Sequence, residues 1–452
     1  MRAKDAPELT MAQSANRFGP PHASGKAERG AASAAHAWLP SSNHEPARSL
    51  PLRLGADSVD EVCELVRRAR AERLTVRMLG THDTTWRRAR AEDMLIDTTS
   101  FAKIHEITSN TVTVDAGARW LDIVMRSLFK QRVPRLLPDC LDETVGSVLA
   151  AGGVTPAAHR IGLAADNVCD LEVITDSGEL VRCSQRRRAD LFHAALYGLA
   201  GQPLIARATL RLVRHRSEVR SFMWCYERLV DLLDAQRAVT VEGVFDRVTG
   251  EIVTAPGGNW LFMLRGVVFF DRGTPPSNEV FEGNKKPIDR VIQNKEYTAW
   301  LFRWAGRRQF LASAGLQEVP EARVDWLLPE DRAEAMLEAL LARLDPRELV
   351  SLPATLIALP RHRARGFVQS AETLCFALTL QRFSTCKGDV QSTSAKIDEA
   401  RTRANSSHGT ACRPDESTME PAPASATIAT PLGDPAGGLR QPQGAAHESF
   451  LL

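Results

Sequence analysis

The amino-acid pattern predicts an α+β fold. Strand-like and helix-like segments mix without regular strand–helix–strand alternation, a tight hairpin lies near residue 177, and both ends lack hydrophobic periodicity. A doubly wound sheet needs the alternation that is absent here. At 452 residues the chain exceeds one ordinary core, so two domains with tails are expected.

Residues 1–48 are rich in Ala, Ser, Pro and Arg, a composition that predicts a disordered arm. Order is expected to begin at Ser58, which with Glu61 three residues later forms a capping box. Val59, Val62, Cys63, Val66 and Ala69 then recur at helical spacing. Segments 75–79 and 94–96 read as short strands, and 111–114 alternates β-branched and apolar residues before a turn at Gly117. Trp120, Ile123, Val124 and Leu128 predict a helix ending before Pro134, and 145–151 a second. Residues 171–175 and 179–183 form the arms of the hairpin around Asp176-Ser177-Gly178. Residues 190–196 read as helix and 204–213 as a β-prone run. Beyond Ser217 the pattern changes to longer helical stretches with two or three strands, which places a second domain at 217–386 after a first at 49–216. The last stretch, 387–452, is again Ala/Pro/Ser/Thr-rich and predicted disordered, because it has too little apolar surface to offset its ordering entropy.

Composition narrows the function. A formal net charge of +2 gives no concentrated basic face for nucleic acid. The densest basic run, Arg186-Arg187-Arg188, reads as a solvated loop. Eight scattered cysteines without a C-x-x-C pair indicate neither a zinc site nor a disulfide framework, and fit a reducing compartment. No apolar segment behind a basic start marks a secretory signal, and Asp5, Glu8 and Glu28 count against a transit peptide. The most apolar stretch, Trp260–Phe270, is interrupted by Arg265 and is too short to span a bilayer. The expectation is a soluble, cytoplasmic protein with neither membrane nor nucleic acid as partner.

Three segments have residue types suited to chemistry. In Val76-Arg77-Met78-Leu79-Gly80-Thr81-His82-Asp83-Thr84-Thr85, a Gly between strand and turn lets backbone N–H groups converge on an anion, with Thr hydroxyls as further donors. Read alone, it is more readily a polar turn with a surface histidine. In Pro138-Asp139-Cys140-Leu141-Asp142-Glu143-Thr144-Val145-Gly146-Ser147, a loop meets a helix start, where free N–H groups favour anions or carbonyl oxygens. Asp139 there is either a general base or an ordinary turn residue. The third runs from Gly152-Gly153-Val154 through His159-Arg160-Ile161-Gly162 to Asp166-Asn167-Val168; its glycines permit close approach to a flat ligand. A lone His159 is more often packed or at the surface than catalytic.

In this order the three segments resemble the PCMH-type FAD-binding domain of the vanillyl-alcohol-oxidase family, with cytokinin dehydrogenases nearest in pattern. The resemblance spans about Pro51 to Val213 and is strongest through Thr144-Val145-Gly146, Arg160, Gly162, Asn167-Val168 and Leu171-Glu172-Val173-Ile174-Thr175. Weaker traces continue at Tyr226, at Phe245-Asp246-Arg247-Val248-Thr249-Gly250 and at Val324-Asp325-Trp326-Leu327-Leu328-Pro329.

The resemblance implies two small α/β subdomains binding FAD, followed by an α+β substrate domain. It makes His82 the residue joined covalently to the flavin, and sets Gly80, Thr81 and Asp83 along the pyrophosphate. Thr144, Gly146, Val154 and Leu204 match other FAD-contacting positions, and Asp139 matches the aspartate that takes the substrate proton as hydride leaves for flavin N5. Thr249 stands where the family has a substrate-site Glu. The family also closes over the flavin with a C-terminal strand–helix segment, which is not expected here after about Phe383.

The implied function is an FAD-dependent oxidoreductase acting on a small amine or alcohol, with oxygen or a quinone-type compound as electron acceptor. The alternative is a degenerate flavin-binding protein with little or no catalysis. A nicotinamide-type dehydrogenase is excluded because no G-x-G-x-x-G follows an N-terminal strand.

Overall fold

A computed structural model of the chain describes residues 52–80, 93–196, 203–255, 257–281, 285–304, 321–346, 353–363 and 373–383. The predicted arms at 1–48 and 387–452 lie outside the described residues.

Three sheets organise the rest. Strands β1 (Leu52–Gly55), β2 (Thr75–Leu79) and β3 (Asp93–Asp97) form a small parallel sheet in the order β1-β3-β2. Helix α1 (Val59–Glu72) buries Val62, Cys63, Val66 and Ala69 against Met94 and Ile96, the stripe its helical spacing predicts. Ser58 caps it by accepting from the Glu61 N–H at 3.3 Å. The reciprocal half of the capping box is displaced outward: the Glu61 carboxylate accepts from the N–H of Asp57, one residue beyond Ser58.

The second sheet is antiparallel. Its order is β4 (Ile104–Ile107), β5 (Thr111–Asp115), β9 (Leu204–Arg214), β7 (Val168–Ile174) and β8 (Leu180–Cys183), with β6 (Arg132–Pro134) also on β9. The expected hairpin is β7–β8, with Leu171 opposite Cys183. Helices α2 (Trp120–Leu128), α3 (Val145–Ala150) and α6 (Ala189–Leu196) close its core with Trp120, Ile123, Leu149, Phe192 and Leu196. Two single-turn helices, α4 (Ala158–Ile161) and α5 (Ala164–Asn167), lead from α3 into β7.

The third sheet corrects the expectation of a mostly helical second half. It is a seven-stranded antiparallel sheet in the order β13 (Asp289–Glu296), β10 (Glu218–Tyr226), β12 (Trp260–Phe270), β11 (Arg247–Thr254), β15 (Ala354–Pro360), β16 (Leu374–Phe383), β14 (Glu321–Pro329). Helices α7 (Leu229–Glu242) and α9 (Ala333–Leu341) pack Leu232, Leu233, Leu337 and Leu340 onto one face, against Phe222, Leu264, Leu356 and Phe376. The other face is covered too, so several strands read as continuous apolar runs rather than alternating ones, and periodicity does not separate them from buried helix.

That other face meets the first two sheets. Val219 and Val267, with Tyr297, Trp300 and Leu301 of α8 (Tyr297–Leu301), enter the core of the second sheet. Leu327, Leu359 and Cys375 pack with Ala158 and Leu163. The Val248 N–H donates to Pro156 O at 2.8 Å, and His159 Nε2 bonds Phe245 O at 3.0 Å. Along β11 and β12, Val248, Ile252 and Leu264 point to the helices, while Arg247, Thr249, Glu251 and Arg265 point to the seam. At the sheet's edge, β13 leaves most of its side chains exposed, among them Asp289, Arg290, Lys295 and Glu296. Among the described residues no helix is long and apolar enough to cross a membrane.

Candidate functional site

The turn after β2 and the start of α3, far apart in sequence, pack against each other. A Cβ on Gly80 would collide with Thr144 Oγ1 and lie 3.3 Å from Ser147 Cβ. Thr98 fixes the end of β2 by donating through N and Oγ1 to Leu79 O. A Cβ on Gly117 would strike the carbonyl oxygens of Thr98 and Phe101, and one on Gly146 would lie 2.9 Å from Ala116 Cβ. Gly117 therefore meets backbone and Gly80 and Gly146 meet neighbouring side chains, and this cradle has no room for side chains at 80, 117 and 146.

The donors at the head of α3 are used within this cradle. Val145 N–H donates to Ala118 O at 2.8 Å and Gly146 N–H to Ala116 O at 2.7 Å. Of the two acceptors expected for a helix start, carbonyl oxygens take these N–H groups. Thr144 is buried; its Oγ1 donates to Ser147 Oγ at 3.0 Å and accepts from Ser147 N–H at 3.4 Å. Helix α3 ends at Gly152 and Gly153, both with positive φ, and the Gly153 N–H returns to Val148 O.

Two further expected positions pack into separate cores. Val154 packs with Ala158 and Leu163 against the seven-stranded sheet. Leu204, opposite Ile174, packs against the core of the three-stranded sheet. Thr81, His82 and Asp83 lie outside the described residues. His159, buried and bonded to Phe245 O, is a packing residue; burial pushes its pKa down.

Asp139 sits at the seam and is held from the far side. Its Oδ1 accepts from Arg247 Nη2 at 2.7 Å and from Arg303 Nη2 at 2.6 Å. Arg247 also donates to Leu137 O at 2.9 Å, and Arg303 to Trp300 O at 3.1 Å. The Arg303 guanidinium lies 4.0 Å from the Trp300 ring centroid and that of Arg247 5.5 Å, so one indole supports both cations. Asp139 lies deep in protein, yet its side chain keeps 42% of its surface accessible, as a group lining a recess does. Burial pushes its pKa up, but the charge and hydrogen bonds of Arg247 and Arg303 outweigh this and hold it below the ordinary value. Among the described residues Oδ2 has no hydrogen-bond partner. On the sheet face, Arg265 makes a two-point pair with Glu251 at 2.9 and 3.0 Å.

Sequence reasoning missed Arg303, Trp300, Glu251 and Arg265, and quoted Arg247 without a role. A signal existed in β11, where Arg247, Thr249 and Glu251 alternate with Val248, Gly250 and Ile252, and in β12, where Arg265 interrupts an apolar run.

Residues 52–184, which include the Gly80–Thr144 cradle and Asp139, match the family model described as an FAD binding domain. Over that stretch the chain is similar to FAD-binding domains. Gly80 leaves bare backbone at the end of β2, beside Thr144 and Ser147, the kind of turn that can approach a pyrophosphate. The chain is 29% identical over 290 residues to an uncharacterized oxidoreductase in the fasciation locus of Rhodococcoides fascians, covering 64% of this chain and 66% of that one. It is 31% identical over 219 residues to cytokinin dehydrogenase 4 of Oryza sativa subsp. japonica, covering 45% of this chain and 41% of the relative. The chain thus spans less than two thirds of either relative's length. The crystal structure of 6-hydroxy-D-nicotine oxidase from Arthrobacter nicotinovorans shares the fold of this FAD-binding chain. The TM-score is 0.56 at 14% identity, over 78% of this chain and 81% of that one.

Proposed function

We propose that the protein is an FAD-dependent oxidoreductase of cytokinin-dehydrogenase type that oxidises a small amine or alcohol, with Asp139 as proton acceptor. The observation that carries this reading is the accessible Asp139 carboxylate of the FAD-binding domain, held at the seam by two guanidiniums of the following sheet. We assign FAD contacts to Gly80, Thr81, Asp83, Thr144, Gly146, Val154 and Leu204, the covalent link to His82, and substrate contacts to the sheet face at 217–386. When bound, FAD supplies the two-electron acceptor for the substrate hydride, and oxygen or a quinone-type compound takes the electrons onward.

The chain's own residues do the rest. Arg247 and Arg303 keep Asp139 ionised and orient it, leaving Oδ2 for the substrate N–H or O–H proton. Trp300 holds the two cations in place and, with Tyr297 and Leu301, walls off water beneath them. Thr249 replaces the family's substrate-site Glu, which leaves the substrate a small amine or alcohol rather than cytokinin specifically.

The same double pairing favours the second reading, a flavin binder with little catalysis, because a carboxylate held below its ordinary pKa is a weak base. Two measurements separate them. The purified protein is expected to show flavin absorbance that stays with the acid-precipitated pellet if His82 carries the link, and that washes out if it does not. Asp139→Asn is expected to slow flavin reduction by about a hundredfold or more. An unchanged rate removes Asp139 from the chemistry, and a flavin that no amine or alcohol reduces supports the binding-only reading.

A further inference from the structure

Among the described residues, the side-chain cluster at the seam holds more cations than anions. Asp139 and Glu251 face Arg247, Arg265 and Arg303. The sheet register groups three of these, with Arg265 opposite Thr249 and diagonal to both Arg247 and Glu251 on the same face, and Asp139 ties Arg303 to Arg247. Such neighbours are roughly 7–8 Å apart. Arg247, which reaches Asp139, is only 6% accessible, whereas Arg265 keeps 38% and Arg303 26%. Among the described residues the next acid on this face, Asp325, is three strands from Glu251 through Thr355 and Thr379, and Thr379 donates to it at 2.9 Å. At about 4.8 Å per strand it is beyond contact with the cluster.

The excess is felt at Arg303, whereas at Arg265 the pairing with Glu251 outweighs burial and raises the pKa. Burial lowers the Arg303 pKa; Asp139 opposes this, but repulsion from Arg247 and Arg265 adds to it, and the net shift is downward. A purely structural ion network would close to neutrality, because an uncompensated charge away from water is costly. Thr249, uncharged where the resembling family has Glu, stands directly opposite Arg265 and leaves the excess uncorrected.

We propose that the substrate is an amine or alcohol bearing a carboxylate close to its reacting carbon. The carboxylate lies against Arg265 and Arg303, while the N–H or O–H faces Asp139. This deepens the proposed function and rests on its assignment of Asp139. A neutral analogue leaves the guanidiniums uncompensated, so the anionic group serves as the selector.

The test uses the full-length, FAD-saturated protein titrated by calorimetry with benzoate and with the neutral, similarly shaped benzamide. Benzoate is expected to bind at least tenfold more tightly. Arg265→Met should weaken benzoate at least tenfold and leave benzamide unchanged, while Glu251→Gln, which removes an acid, should strengthen benzoate several-fold. Equal binding of the two probes by the wild-type protein overturns the proposal without recourse to any variant, as does Arg265→Met protein, with a native circular-dichroism spectrum, that binds benzoate normally. Flavin reduction tests the parent reading separately. Benzoate selectivity without reduction by any amine or alcohol sinks the oxidoreductase assignment, and reduction without selectivity sinks the carboxylate assignment alone.

Discussion

Asp139 shows how single charges set the behaviour of the site. Because Arg247 and Arg303 hold its carboxyl below the ordinary carboxylate value of about 3.9, the group is ionised wherever the protein is handled near neutrality. Its folded pKa lies below its unfolded one, so its contribution to stability is complete above the unfolded value and is lost as pH falls through the folded one. The acid limb of flavin reduction should accordingly lie below pH ~4. Replacing Arg303 by Leu removes one of the two lowering charges and should move that limb upward, as a pH series of single-turnover reductions would report. A limb that stays in place would show that Arg303 does not tune the carboxylate. Gly80 gives a steric counterpart. Gly80→Ala drives a methyl into Thr144 Oγ1 and should cost roughly 1–3 kcal/mol in stability or in FAD binding. Gly55→Ala, with nothing within 4 Å, should be close to neutral in the same melting and FAD-titration assays.

Elements explain which parts of the molecule could be read in advance. The β7–β8 hairpin was legible because its signal is local: Asp176-Ser177-Gly178 turns the chain, and Gly178 adopts φ 74°. Helix α1 was legible because its apolar stripe and Ser58 cap lie within one short segment. The seven-stranded sheet was not, since several of its strands are covered on both faces and pair across long separations, as β11 does with β15. Asp139 and Thr144 were singled out through the order of motifs, whereas the guanidiniums that hold Asp139 come from positions 108 and 164 residues away, and no local pattern announces them. Helix α4 supports an element-scale prediction. His159 is buried against Phe245 O with a lowered pKa. As pH falls below the ordinary imidazole value of about 6.5, the unfolded chain takes up a proton that the folded chain refuses, so stability falls. His159→Gln, which keeps a donor and cannot titrate, should flatten the dependence of Tm on pH between about 5 and 6.5; an unchanged slope would assign that dependence elsewhere.

At the scale of the whole molecule, the first two sheets and the third share apolar contacts and polar ties. Val219, Val267, Trp300 and Leu301 belong to the core of the second sheet, and Arg247 and Arg303 close on Asp139 from across the seam. Neither side buries these groups alone, so thermal unfolding should be a single cooperative transition, with calorimetric and van't Hoff enthalpies in agreement. Two resolved transitions would show that the seam contributes little. FAD bound only by the folded chain should raise that transition, by about 2.7 kcal/mol of stabilisation at a hundredfold excess over Kd.

The charged rim at β13 has a consequence for the protein in concentrated solution. An outer strand offers unpaired amides that a neighbouring molecule can zip onto, and such zippering seeds precipitation. Here an acid–base pair at each end of the strand, Asp289 with Arg290 and Lys295 with Glu296, is exposed along that rim, so a second molecule approaching in register would have to desolvate them. Neutralising these pairs is therefore the change most apt to turn a well-behaved sample turbid, with the fold of each molecule left intact.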